Sequence, residues 1–211
     1  MIQLSLEDER LLLRALEEGR IVLLLGAGAS ATSVNRKAKN VLQAKGLAQL
    51  LAEEAGLAYS DEPLPEVLGA VLGRRVSEDR FRRILDQEYT GIDPSLELSQ
   101  LLEFTWRRLY TWNVDDALDN VKGGVQRRRV YNGMLDKVRP HEGLEYLQTI
   151  YLHGQAIKPE HGFIFSRADY SERLNKDSHD WYREAAADYA SYTPVFLGSR
   201  LNEPIFRVRT H

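Results

Sequence analysis

Four short apolar runs in this chain each stop on a small or polar residue. Ile21 to Leu25, I-V-L-L-L, leads straight into Gly26-Ala27-Gly28-Ala29-Ser30. The stretch R-R-L-Y-T leads into Trp112-Asn113-Val114-Asp115, Q-T-I-Y-L ends at His153-Gly154, and P-V-F-L ends at Gly198-Ser199. Short, continuous apolar runs are the mark of strands buried on both faces, as in a parallel sheet. Helical patterns fall between them, and strands alternating with helices predict an α/β, doubly wound parallel sheet. Ligands of such sheets sit beyond the carboxyl ends of the strands. The sequence therefore gathers four candidate segments on one rim.

The intervening segments read as follows. Ser5 caps a first helix whose apolar stripe is Leu6, Leu12, Leu13 and Leu16, ended by Gly19. Residues 32 to 46 are polar and basic and read as a loop. Helices follow at Leu47 to Ala55, at Glu66 to Leu72 behind Pro63 and Pro65, after Ser77, and at Leu96 to Phe104. Residues 45 to 104 thus form a helical module inserted between two strands, with Leu64, Val67 and Val71 read as surface apolar residues. Arg127 to Tyr131 is a short strand and Gly162 to Phe165 a weaker one. Asp169 to Leu174 and His179 to Tyr192 read as helices, and Asn202-Glu203-Pro204 begins another. The abrupt close, F-R-V-R-T-H, reads as the N-terminal part of a longer protein.

Composition narrows the class. The 211 residues are 43% hydrophobic and 28% charged, an ordinary globular balance. A net charge of −3 does not suit a nucleic-acid clamp, and Arg127-Arg128-Arg129 reads as a solvated basic run, so no direct nucleic-acid binding is expected. The absence of cysteine removes thiolate nucleophiles and thiolate zinc sites. The acidic start lacks a signal-peptide core, and no run approaches the roughly 18 apolar residues of a membrane span. A cytoplasmic protein without membrane contact is the expectation.

Each rim segment has a structural and a functional reading. Glycines after a strand let backbone N–H groups face a phosphate, or they make a tight turn. The spacing here is G-x-G-x-S, neither a full dinucleotide fingerprint nor a P-loop. Asn113 and Asp115 can cap the next helix or face a ribose or a water. His153 is a satisfied structural histidine or a proton-transfer group, with Gly154 leaving room for a ligand. Gly198 and Ser199 are a turn or the edge of a nucleotide site. His141, His161, His179 and His211 occupy no comparable strand end, so no metal site is expected.

Taken in order, G-A-G-A-S, T-W-N-V-D, L-H-G and F-L-G-S-R-L-N-E-P resemble the sirtuin-like family, over about residues 20 to 206. F-I-F-S-R-A-D-Y, Phe163 to Tyr170, resembles the segment after the histidine in bacterial sirtuin-like defence proteins. The resemblance implies a Rossmann-like fold that binds NAD across the rim. Gly26, Ala27, Gly28 and Ser30 would hold the pyrophosphate, and Asn113 and Asp115 would face the nicotinamide ribose. His153 would be the catalytic histidine, acting with Asn113, while Gly198, Ser199 and Asn202 would lie on the adenosine side.

The departures from that family select a branch. The deacylases carry a four-cysteine zinc ribbon and a G-I-P-D-F-R-like stretch; this chain has no cysteine and reads T-S-V-N-R-K-A-K there. That points to the branch that hydrolyses NAD to nicotinamide and ADP-ribose, with NAD as substrate and no metal. The same branch implies NAD depletion in antiphage defence, self-association into a homo-oligomer, and a partner such as a HerA-type ATPase or an Argonaute-associated module. A non-catalytic NAD or ADP-ribose sensor is the alternative; a deacylase or a hydride-transferring dehydrogenase fits less well.

Overall fold

A computed structural model describes residues 5–165, 169 and 181–199. Five parallel strands form one sheet: β1 (Ile21–Leu25), β2 (Arg108–Thr111), β3 (Arg127–Asn132), β4 (Tyr146–Tyr151) and β5 (Thr193–Leu197). Their order is β3-β4-β2-β1-β5. The chain builds outward from β1 in one direction through β2, then returns to the other side of β1 as β5. The order therefore reverses between β1 and β5, which is the crevice where such sheets bind ligands. This is the α/β, Rossmann-like doubly wound architecture that the alternation of strands and helices predicts.

The registers bring the strand ends level. Leu25 pairs with Leu197 on one side and Thr111 on the other, Thr111 pairs with Tyr151, and Tyr151 with Asn132. The next residues continue the ladder: Gly26 N–H donates to Leu197 O at 2.9 Å, Trp112 N–H to Leu25 O at 3.1 Å, and Leu152 N–H to Thr111 O at 2.8 Å. All of β1 is buried, as its unbroken apolar run requires.

One face of the sheet carries α1 (Leu6–Glu17), the module formed by α2 (Ala44–Glu54), α3 (Leu64–Val71), α4 (Glu78–Tyr89) and α5 (Leu96–Leu101), and α6 (Ala117–Asn120). Ile21, Leu23 and Leu25 point into it. The other face carries α7 (Trp181–Ser191), whose Trp181, Tyr182 and Ala185 cover Val22, Leu24, Tyr110 and Ile150. The helical insertion between β1 and β2 is present as expected, and Ser5 and Ser77 cap their helices by accepting from Asp8 N and Arg80 N.

Several local readings change. Leu64, Val67 and Val71 are core, because α3 turns that stripe inward among the buried residues of α2 and α4. On α1 the packed residues are Leu12, Ala15 and Leu16, while Leu6 and Leu13 are exposed. Residues 162 to 165 form no strand; Ile164 N–H donates to His153 O at 3.2 Å and folds the segment back on the rim. The helix expected from Asp169 to Leu174, Asp169 apart, and the one expected at Asn202 lie outside the described residues. No helix among the described residues is long and apolar enough to cross a membrane.

Candidate functional site

The rim residues nearest the crevice are held by their own loops. Gly26 opens a 3-10 turn over Ala27–Ser30, and the turn of Gly198 lies against it. Gly28 N–H donates to Gly198 O at 2.9 Å, and Ala29 N–H to Gly26 O at 2.9 Å. A Cβ on Gly26 would meet Gly198 O at 2.6 Å, and one on Gly28 would meet Gly198 Cα at 2.8 Å. Gly198 has φ +65°, and a Cβ there would stand 2.1 Å from Ala29 N. The glycines do mark close backbone approach, but the approaching backbone is the chain itself. Gly154 repeats the point: with φ +90° it leaves space that Gly162 O fills, at 2.5 Å from where a Cβ would lie.

Ser30, Asn113 and Asp115 meet although 83 and 85 residues separate Ser30 from the other two. Ser30 Oγ lies 2.7 Å from Asp115 Oδ2, and Asn113 Nδ2 lies 3.0 Å from Ser30 Oγ. Asp115 Oδ1 accepts from Ala117 N at 3.1 Å, and Thr111 Oγ1 accepts from Asn113 N at 3.0 Å. All three side chains are buried. Among the described residues Asn113 Oδ1 has no hydrogen-bond partner. Burial raises Asp115 to about 6, against the stabilising hydrogen bond from Ser30.

His153 follows β4 at the same level and is partly buried. Burial lowers its pKa to about 3, and the charge of Asp169 opposes that only in part. The ring is therefore neutral at physiological pH and accepts a proton weakly. The helical module reaches this region: Phe81 of α4 makes edge contacts with Phe163 and Phe165 at 6.5 and 6.0 Å. Beside them lies a cavity of about 480 Å³, lined in part by Leu68, Leu72, Phe81, Phe163 and Asp169.

The structure adds rim residues that the motifs do not contain. Among the described residues, Asn132, at the tip of β3, leaves Nδ2 unpartnered, and Gln155, two residues past His153, leaves Oε1 unpartnered. Both are almost wholly buried. Gln155 Nε2 donates to Asp119 Oδ2 at 3.3 Å and Tyr151 OH to Asp119 Oδ1 at 3.1 Å. Burial raises the pKa of Asp119. Asn132 stands at a strand end, as Asn113 does, but the three arginines before it read as a basic run. Those arginines are engaged: Arg127 pairs with Glu145 at 3.1 Å, Arg129 with Glu142 at 2.9 Å, and Arg128 donates to Leu118 O and Val121 O.

The structure thus brings together Ser30, Asn113 and Asp115, and joins Gly26 and Gly28 to Gly198. Ala27 and Ser199 sit on the same rim, Ala27 exposed and Ser199 half-buried. Asn202 lies outside the described residues. Among the described residues no group of three or more His, Asp or Glu side chains could hold a metal ion. Compared with known proteins, the chain matches no family model and no curated protein.

Proposed function

We propose that the chain is an NAD glycohydrolase that cleaves NAD to nicotinamide and ADP-ribose. The observation that carries this reading is Asn113 Oδ1, a buried acceptor without a partner among the described residues, just past the end of β2 and beside the Ser30 turn that follows β1. An unmet buried acceptor is unfavourable by about 1–3 kcal/mol, and a ligand hydroxyl or water would relieve it. NAD supplies such hydroxyls on its riboses. The rim fits the pyrophosphate less freely, since the N–H groups of Gly26, Gly28 and Ala29 already have protein acceptors. Ala27, first in its 3-10 turn, is left without an acceptor inside that turn.

In the proposed reaction the bond between the nicotinamide nitrogen and ribose C1′ breaks, and its electron pair leaves with the nicotinamide. Water oxygen adds to C1′, and the water proton passes to a base and then to solvent. Neutral His153 is the candidate base, and Asn113 orients the ribose or the water. A positioned base contributes typically about 10²–10⁴-fold. A base held near 3 works only if bound substrate raises its pKa.

That weak basicity favours a second reading, a sensor that binds NAD or ADP-ribose without turnover. Nicotinamide release, measured with NAD and the full-length protein, separates the two. Release that disappears in His153→Ala supports the hydrolase; NAD binding with no release in any assembled state supports the sensor. A role in NAD depletion during antiphage defence, homo-oligomerisation, and a HerA-type ATPase or Argonaute-associated partner belong to the same proposal and rest on the sequence resemblance alone.

A further inference from the structure

Counting donors fixes the proton directions between Ser30, Asn113 and Asp115. An ionised carboxylate only accepts, and a serine hydroxyl has one proton to give. At 2.7 Å that proton lies between Ser30 Oγ and Asp115 Oδ2, donated to the carboxylate. Ser30 Oγ can then only accept from Asn113, so the group 3.0 Å away must be the amide NH₂. The Asn113 carbonyl is forced to the opposite side, and its oxygen is left without a partner among the described residues. The chemistry of the three groups alone sets these directions.

The relay is anchored at both ends. Asp115 is held through its second oxygen by Ala117 N–H at the start of α6, at 3.1 Å. Asn113 is held through its backbone N–H by Thr111 Oγ1, at 3.0 Å. Ser30 is 1% exposed and Asp115 is 5% exposed, so little of either is open to a ligand, and their polar atoms are occupied by each other, by Asn113 and by Ala117 N–H.

We infer that Ser30 and Asp115 are positioning residues, which fix the Asn113 carboxamide with its oxygen toward the ligand. The site then presents an acceptor at this point. It takes a hydroxyl or a water there and disfavours a phosphate oxygen, which would face another acceptor. This departs from the assignment of Ser30 to the pyrophosphate and Asp115 to the ribose. It rests on the hydrolase reading for its kinetic readout only; the hydrogen-bond relay can be observed without turnover.

The test uses the full chain with NAD, and compares wild type with Ser30→Ala, Ser30→Thr and Asp115→Asn. Steady-state nicotinamide release gives kcat and KM, and the side-chain amide resonance of Asn113, assigned with Asn113→Ala, reports the relay. Ser30→Ala should lower kcat by about 10–100-fold, the usual scale for a group that orients a functional residue, with KM within about threefold. It should also shift the Asn113 NH₂ resonance. Ser30→Thr, which keeps the hydroxyl, should restore most of kcat and the resonance position. A rise in KM with kcat preserved would overturn the inference, because it would mean direct substrate contact. An unmoved Asn113 resonance in Ser30→Ala would also overturn it. Should wild type release no nicotinamide, the hydrolase reading fails and the resonance alone decides the relay. Should Ser30→Ala not fold, Asp115→Asn decides: it leaves one acceptor oxygen for both Ala117 N–H and the Ser30 hydroxyl and turns an NH₂ toward the other, so it should lower kcat and shift the same resonance, and no effect on either overturns the inference.

Discussion

Replacing His153 by glutamine tests whether its imidazole stays neutral in the folded protein. Burial holds the folded pKa at about 3, below the ordinary 6.5 of the unfolded chain. Between about pH 7 and about pH 5 the unfolded chain takes up a proton here and the folded chain does not, so stability falls with pH by about 2 kcal/mol from this residue. That figure needs only a folded value well below 5. Asp115 acts in the opposite sense. Its folded value of about 6 lies above the ordinary 3.8, so the folded chain binds that proton first and gains about 1 kcal/mol over the same interval. Wild-type stability therefore combines opposing slopes, and the informative quantity is the difference from His153→Gln. Urea unfolding followed through the buried Trp106, Trp112 and Trp181 gives it directly. The variant should lose about 2 kcal/mol less than wild type on going from neutral to mildly acid pH. Equal losses would mean that the folded imidazole accepts a proton readily, and the reasoning from burial would be refuted.

Gly198→Ala forces a side chain into φ +65° and against the Ala29 amide at 2.1 Å, so it should destabilise by at least about 2 kcal/mol and lower the melting temperature. Arg108→Met leaves Asp188 and Glu184 without the buried guanidinium that binds both, along with Gln148 at 2.7 Å; a loss of about 3–5 kcal/mol in urea unfolding is expected. Nicotinamide release should fall as pH drops through about 6, where protonated Asp115 no longer dictates the direction of the Ser30 proton. The groups facing Asp115 are Ser30, the neighbouring Asp116, and the phenols of Tyr89 and Tyr151. The acid limb should be absent from the residual activity of Asp115→Asn.

How much the sequence discloses depends on which interactions are local. β1 is legible because burial on both faces leaves an unbroken apolar run, and the rim is legible because such runs stop sharply, whereas the edge strand β3 carries three arginines and is largely exposed. F-I-F at Phe163 to Phe165 imitates such a run, yet its phenyl rings pack on Phe81 and its amide closes on His153 O, contacts that no local pattern announces. Leu64, Val67 and Val71 follow helical spacing, and spacing alone does not say whether a second helix covers them. Glycine gives a partial message. Gly26, Gly28, Gly154 and Gly198 each mark a close approach of backbone, correctly, but a missing Cβ does not tell a phosphate from a carbonyl of the same chain.

The polar residues carry the same ambiguity in a form that bears on mechanism. A serine, an asparagine and an aspartate at strand ends each have the atoms to bind a nucleotide, and from sequence each is assigned its own contact. Brought within 2.7 and 3.0 Å, they satisfy one another instead, and Asn113 Oδ1 is left over among the described residues. Three candidate ligand contacts become one, and its polarity is set by the other two. Burial decides this outcome: in water Ser30 would exchange partners freely, whereas at 1% exposure its single proton goes to Asp115 Oδ2 at 2.7 Å in preference to Ala27 O, the weaker acceptor at 3.4 Å. On the proposed reading, a ligand meets this site by donating a hydrogen bond to Asn113 Oδ1.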